Sequence, residues 1–240
     1  MYLREFNPKD VKNVLITGAS KGLGMEITKL AASQPGYRIL AISRDTRSLK
    51  TLSINENSEL LTWNLDLGVE DSVGQFISEI KHRNWQFDGM ILNAGIFKKS
   101  DINSVSWMEL DILFRVNCFA PFSLCSGLSS NMDKGAHVIL VSSMGGFQGS
   151  RKFPGNTGYC MSKGALSIMG ECMAAELQEK GIRVNVVCPG AVKTQMLKEA
   201  FPDFQGGVDA KAMAEWLWNY YKEGRDLFNG VILPITSGVI

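Results

Sequence analysis

Short runs of consecutive apolar residues alternate along the chain with longer, helix-like stretches of mixed apolar and polar positions. The apolar runs are Val14-Leu15-Ile16, 38–43 (RILAIS), 60–65, Met90-Ile91-Leu92, 137–142 (HVILVS), 184–187 and 230–233. They read as seven buried strands. The stretches 23–33, 70–81, 106–129, 159–180 and 210–222 read as helices. Buried strands alternating with helices predict an α/β fold: a doubly wound sheet of about seven parallel strands with helices on both faces. Seven strands in 240 residues leave about 34 residues per strand–helix unit, close to the usual ~30. With no long Pro/Ser-rich linker, one domain is expected over 1–240, preceded by a polar extension at 1–11.

Composition narrows the class. Apolar residues make up 45% and charged residues 20% of the chain, which excludes a disordered chain. Lys plus Arg (25) and Asp plus Glu (24) nearly cancel, so charge gives no argument for a nucleic-acid or membrane partner. No apolar run approaches the ~18 residues of a membrane span. The polar start, Met1 to Lys12, predicts no signal peptide, and the expected compartment is cytoplasmic. Five cysteines without a C-x-x-C pair disfavour a disulfide framework or zinc site. The only histidines, His82 and His137, are far apart, which argues against a Ser-His-Asp hydrolase or a zinc alcohol dehydrogenase. No metal is expected.

Candidate chemistry begins where the first strand ends. Thr17-Gly18-Ala19-Ser20-Lys21-Gly22-Leu23-Gly24 spaces its glycines G-x-x-x-G-x-G between a strand and a helix. Glycines there permit a sharp turn, close backbone approach to a phosphate, and close helix–strand packing. The helix N-terminus presents N–H groups to a pyrophosphate. The second strand ends at Ser43-Arg44, where an NAD enzyme usually places a carboxylate for the ribose. Arg44 and Lys21 instead suit a 2′-phosphate, pointing to NADP(H), with Asp45 close by. Further on, Tyr159 and Lys163 stand at i and i+4, on one face if helical. An ammonium beside a phenol lowers its pKa and makes it a usable acid/base. Ser142-Ser143 ends the fifth strand, where such sheets bind ligands.

Taken in order, these motifs resemble the short-chain dehydrogenase/reductase family, a Rossmann-type fold of about 250 residues. The family's T-G-x-x-x-G-x-G matches Thr17 to Gly24. Its adenine-contacting aspartate matches Asp66, followed by Leu67, and its Asn-Asn-Ala-Gly turn appears as Leu92-Asn93-Ala94-Gly95. Its active-site asparagine matches Asn117, its catalytic serine Ser143, and its tyrosine and lysine Tyr159 and Lys163. Its Pro-Gly turn matches Pro189-Gly190, followed by Val192 and by Thr194 at the nicotinamide amide. The resemblance implies cofactor contacts from Gly18, Ser20, Lys21, Gly22, Leu23, Gly24, Ser43, Arg44, Asp66, Leu67, Asn93, Ala94, Gly95, Tyr159, Lys163, Pro189, Gly190, Val192 and Thr194.

The implied reaction is an NADPH-dependent reduction of a small-molecule carbonyl, or the reverse oxidation of an alcohol. Ser143 polarises the carbonyl and Tyr159 protonates the alkoxide. Lys163 holds the ribose and lowers the tyrosine pKa. Asn117 positions a water linking Lys163 to solvent. Three departures stand out. Leu92 replaces the first Asn. The glycine-rich stretch between Ser143 and Tyr159 is long and reads as a mobile substrate loop. Ile235-Thr236-Ser237-Gly238 replaces the usual Asp-Gly-Gly, which bears on the family's common homodimer or homotetramer. The segment between Met196 and Val208, where family members carry a lid, is short and predicts an open site. Two alternatives remain. One is a 3-oxoacyl-thioester reductase, with Lys134 and Lys180 where such enzymes bind an acidic carrier protein. The other is an NADP-binding regulatory protein with vestigial activity. Trp216, Trp218, Tyr220 and Tyr221 read as core or interface packing, and Cys118 and Cys160, beside Asn117 and Tyr159, as small buried hydrophobes.

Overall fold

The computed structural model describes residues 11–236. Residues 1–10 of the polar extension, and Ser237 and Gly238, lie outside them. Seven parallel strands form the main sheet: β1 (Lys12–Thr17), β2 (Tyr37–Ser43), β3 (Glu59–Asn64), β4 (Phe87–Leu92), β5 (Met132–Val141), β6 (Arg183–Pro189) and, numbered after two short strands, β9 (Ile232–Ile235). Their order is β3-β2-β1-β4-β5-β6-β9, and every pairing is parallel. The order reverses between β1 and β4, which opens a crevice at their C-terminal ends, where doubly wound sheets bind ligands.

Side-chain alternation on the strands divides the core into two layers. Leu15, Leu40 and Ile42 face one side. There they pack with Val73, Phe76 and Ile80 of α2 (Glu70–His82), Leu124 of α4 (Ala120–Gly127) and Leu166 and Met173 of α5 (Thr157–Leu177). Val14, Ile16 and Ile39 face the other, against Leu23 and Ile27 of α1 (Gly22–Ser33) and Leu217 and Trp218 of α7 (Ala210–Glu223). The aromatic cluster of α7 is packing: Trp218 and Tyr221 are buried and stacked at 5.1 Å, and Trp216 stacks on Tyr220 at 5.3 Å.

The stretch 106–129 differs from a single helix. It starts at a capping box, with the Ser106 hydroxyl accepting from Glu109 N and Glu109 accepting from Ser106 N, and runs as α3 (Trp107–Phe114). A π-helical turn over Arg115–Phe119 then precedes α4. Beyond β6, the segment read as a short lid folds as β7 (Val192–Lys193), α6 (Gln195–Ala200) and β8 (Val208–Asp209), with β7 and β8 forming a separate two-stranded sheet. The chain carries no apolar run there, so the sequence pattern does not announce these elements. Among the described residues no helix is long and apolar enough to cross a membrane, and no His/Cys/Asp/Glu group is arranged to hold a metal.

Candidate active site

The glycine turn joins β1 to α1. Gly18 and Gly22 have φ of +66° and +54°, the left-handed region that glycine enters without strain. At Gly24 the constraint is space: a Cβ would lie 2.2 Å from the Gly18 carbonyl oxygen. The first turn of α1 therefore lies against the end of β1, with N–H groups that have no intrahelical acceptor. β4 is tied to the same place. Ala94 N donates to Thr17 Oγ1 at 3.0 Å, and Asn93 Nδ2 donates to the Thr17 carbonyl at 3.3 Å. From beyond β6, Pro189 and Gly190 lead to Val192 in β7 and to Thr194. A Cβ on Gly22 would stand 3.1 Å from the Thr194 methyl. Thr194 Oγ1 caps α6 by accepting from Leu197 N. This bare, N–H-lined cradle fits a nucleotide pyrophosphate.

At the end of β2, the Ser43 hydroxyl shares a 2.5 Å hydrogen bond with Ser20. Arg44 and Asp45 are exposed. Asp45, adjacent to the expected cofactor ribose, is already engaged: Arg47 binds both its oxygens, the shorter contact being 2.6 Å. Those hydrogen bonds hold its carboxyl well below the usual range, with Lys21 adding a smaller attraction. Arg47 was not a sequence candidate, because nothing in the sequence shows that it folds back onto Asp45. Asp66 Oδ1 accepts from Gly68 N at 2.9 Å, and Leu67 turns into the core.

The second constellation sits where β5 ends. The two serines point opposite ways, as strand alternation requires. Ser142 is buried and donates to the Lys163 carbonyl at 2.8 Å. Ser143 accepts from Gly145 N at 3.0 Å, and its hydroxyl lies beside Tyr159, where it favours the ionised phenol. One turn along α5, Lys163 is buried, and its Nζ donates to the Val141 carbonyl at 2.8 Å. Gly95 adjoins it: a Cβ there would be 3.1 Å from Lys163 Nζ and 3.2 Å from Asn117 Oδ1.

Asn117 lies in the π-turn and is fully buried. Its Oδ1 accepts from Ile96 N at 2.8 Å, while Nδ2 donates to the Ile96 carbonyl at 2.9 Å and to Ser162 Oγ at 3.0 Å. The amide thus clamps the segment after β4 to α5. π-Turns inside helices are frequent at functional sites.

The electrostatics depart from expectation in one respect. Burial raises the Tyr159 phenol above its ordinary value, and the Ser143 hydrogen bond offsets only part of that rise. Lys163 does not depress it here, because its ammonium is directed to Val141. Burial instead brings Lys163 itself down to about 8. The phenol is therefore a protonated donor at neutral pH, and the lysine is close to titrating there.

Loop 143–157 is pinned rather than loose. The Ser150 hydroxyl bonds to the Met144 and Phe147 carbonyls, and Lys152 Nζ reaches Met144, Phe147 and Ser150. The segment after β6 reaches the ring that lies beside the phenol. Phe97 meets the Tyr159 ring edge-on at 5.0 Å, and Phe201 packs on Phe97 at 5.9 Å. Neither phenylalanine stood out in the sequence, since lone aromatics in loops carry no period. Lys134, at the start of β5, and Lys180, just after α5, come near each other at the end of the sheet remote from Tyr159. The Lys134 stem covers Gly181, and Lys180 donates to Ser129 Oγ at 3.3 Å. All five cysteines are free. Burial raises Cys118, Cys160 and Cys188, and brings Cys125 up to about 12.

Residues 12–205 match the family model described as short chain dehydrogenase. The 3-oxoacyl-[acyl-carrier-protein] reductase of Buchnera aphidicola subsp. Schizaphis graminum is 30% identical over 189 residues, spanning 78% of this chain and 76% of that protein. Among solved structures, a 4-hydroxyisoleucine dehydrogenase complexed with NADH has a TM-score of 0.83 at 19% identity, covering 95% of this chain and 98% of that one. A short chain dehydrogenase from Burkholderia cenocepacia J2315 in complex with NADP has a TM-score of 0.81 at 22% identity, covering 95% and 97%. With the family model spanning most of its length, the chain belongs to the short-chain dehydrogenase/reductase family, oxidoreductases that act on carbonyl or alcohol groups with a nicotinamide cofactor.

Proposed function

We propose that this chain, acting as one cofactor-binding and catalytic domain in the cytosol, is an NADPH-dependent reductase of a small-molecule carbonyl. The carrying observation is the buried Lys163 one helical turn from a protonated Tyr159, with Ser143 beside the phenol. When bound, the reduced nicotinamide supplies a hydride. Ser143 donates a hydrogen bond to the substrate oxygen and polarises it. Tyr159 gives that oxygen its proton, a role suited to a phenol held above its ordinary pKa. Lys163, at about 8, turns to the cofactor ribose and restores the phenol proton through a water that Asn117 helps to position. Asn117 also keeps Gly95 and Ile96 against this group.

Preference for the 2′-phosphate is supported by the cations Arg44 and Lys21, and by the engagement of Asp45 with Arg47. The cradle residues Gly18, Ser20, Gly22, Leu23 and Gly24 receive the pyrophosphate. Ser43, Asp66 and the Leu67 backbone face the adenosine. Asn93, Ala94, Gly95, Pro189, Gly190, Val192 and Thr194 line the nicotinamide side. Self-association as a homodimer or homotetramer is supported by Trp107, Phe119 and Phe122 of the α3–α4 segment and Ile168 of α5, which are 88%, 54%, 52% and 59% exposed.

The test is consumption of NADPH and NADH against an acetoacetyl thioester, a quinone, a diketone, aldehydes and a ketosteroid, with Tyr159→Phe as control. The expected outcome is NADPH-dependent turnover that the variant loses while its NADPH affinity holds. Wild-type rates in Tyr159→Phe would overturn the assignment. The 30% identity to an acyl-carrier-protein reductase, together with the proximity of Lys134 to Lys180 through Gly181, supports a second reading as a 3-oxoacyl-thioester reductase. Turnover confined to the acetoacetyl thioester would favour it. Tight NADPH binding with no turnover would favour the regulatory alternative.

A further inference from the structure

Three phenyl rings from three separate segments extend from the Tyr159 phenol. Phe97 follows β4 and touches the Tyr159 ring edge-on, with centroids 5.0 Å apart. Phe201 follows α6 and packs on Phe97 at 5.9 Å and on Phe153 at 6.0 Å. Phe153 belongs to the loop after β5 and is 48% exposed. Over its ring lies the Arg151 guanidinium, 5.2 Å from the centroid, with no carboxylate partner among the described residues. Phe201 bridges the other two rings, so the apolar wall is wider than one phenyl ring and ends at a cation.

Water solvates such a wall poorly. Its rings favour flat π-surfaces in stacked or edge-on contact, and a guanidinium beside it suits a carboxylate or phenolate. We propose that the substrate is a flat aromatic carbonyl compound of at least two fused rings, carrying an anionic group at the end remote from the reacting carbonyl. The rings of Phe97, Phe201 and Phe153 form its binding wall, and Arg151 meets the anion. This rests on the carbonyl-reductase reading. The carbonyl carbon takes a hydride from NADPH, which leaves as NADP+. The oxygen takes a proton from Tyr159, and the product is the alcohol.

The probes are 6-formyl-2-naphthoate, 2-naphthaldehyde and butane-2,3-dione, each assayed with wild type, Phe201→Ala, Phe153→Ala and Arg151→Met. Phe153 is exposed, so its variant remains informative should Phe201→Ala fold poorly. Both phenylalanine variants are expected to lose about tenfold in kcat/KM on the two naphthaldehydes, a typical discrimination for one apolar contact surface, with a several-fold smaller loss on butane-2,3-dione. Arg151→Met is expected to raise KM for 6-formyl-2-naphthoate about tenfold and to spare 2-naphthaldehyde. Equal losses on all three probes, or none, would overturn the proposal. Calorimetric titration of 2-naphthoate into protein saturated with NADP+ separates the two readings. Binding weakened by Phe153→Ala and Arg151→Met, without turnover of any probe, would keep the aromatic site and remove the reductase assignment. Absence of 2-naphthoate binding in an enzyme that reduces butane-2,3-dione would do the reverse.

Discussion

Replacing Lys163 by methionine separates what this residue costs the fold from what it contributes to chemistry. Burial lowers the ammonium from its ordinary 10.5 to about 8. Below pH 8 the folded protein keeps a desolvated charge that the unfolded chain keeps in water. Between about 8 and 10.5 the folded lysine is neutral while the unfolded one is still charged. The unfolded state then binds more protons, so stability rises with pH across that window, by about 1.4 kcal/mol per pH unit and about 3 kcal/mol in all. Methionine fills similar space without a charge and removes this slope. The Val141 carbonyl loses its 2.8 Å donor, a cost of about 1–3 kcal/mol that does not depend on pH. Lys163→Met is therefore expected to be about as stable as wild type at pH 7 or somewhat more so, and inactive. Relative to wild type it should lose about 2 kcal/mol between pH 7 and 9.5. Urea unfolding of both proteins at half-unit pH intervals reads this directly. A stability difference that stays constant with pH would refute the burial argument.

The remaining predictions concern the frame and the cofactor. His137 is buried, bonded to the Tyr221 carbonyl and to Asn185 Nδ2, and pushed down to about 4. Stability should fall by about 3 kcal/mol as pH drops from 6.5 towards 4, and His137→Gln should flatten that part of the urea profile. Gly24→Ala forces a methyl to 2.2 Å from the Gly18 carbonyl oxygen; a Tm at least about 5 °C lower is expected by calorimetry. Arg44→Ala should weaken NADPH about tenfold and NADH much less in equilibrium titrations. An equal effect on both cofactors would remove Arg44 from the phosphate site.

The sheet was legible because each strand contains a short, mostly apolar run, and a doubly wound order follows from alternating strands and helices. The glycine turn and the order of Asn117, Ser143, Tyr159 and Lys163 were legible as motifs. What escaped depends on contacts between loops distant in sequence. Arg47 folding onto Asp45, Phe201 meeting Phe97 and Phe153, and Lys152 closing over Met144 and Phe147 leave no periodic trace. The interruption of the 106–129 helix was hidden for another reason. Arg115–Phe119 contains no Gly or Pro to mark a break, and the contacts of the Asn117 amide with Ile96 and Ser162 bridge segments distant in sequence.

A π-turn holds one residue more than the regular helix it interrupts, so the length of Arg115–Phe119 sets the register of α4 relative to α3. Deleting one codon there would restore an uninterrupted helix and shift every downstream residue by about 100° around its axis, leaving the clamp on Ile96 without its amide. A site of this kind is gained or lost by a change of length at one position, while point substitution along the same helix leaves the register intact.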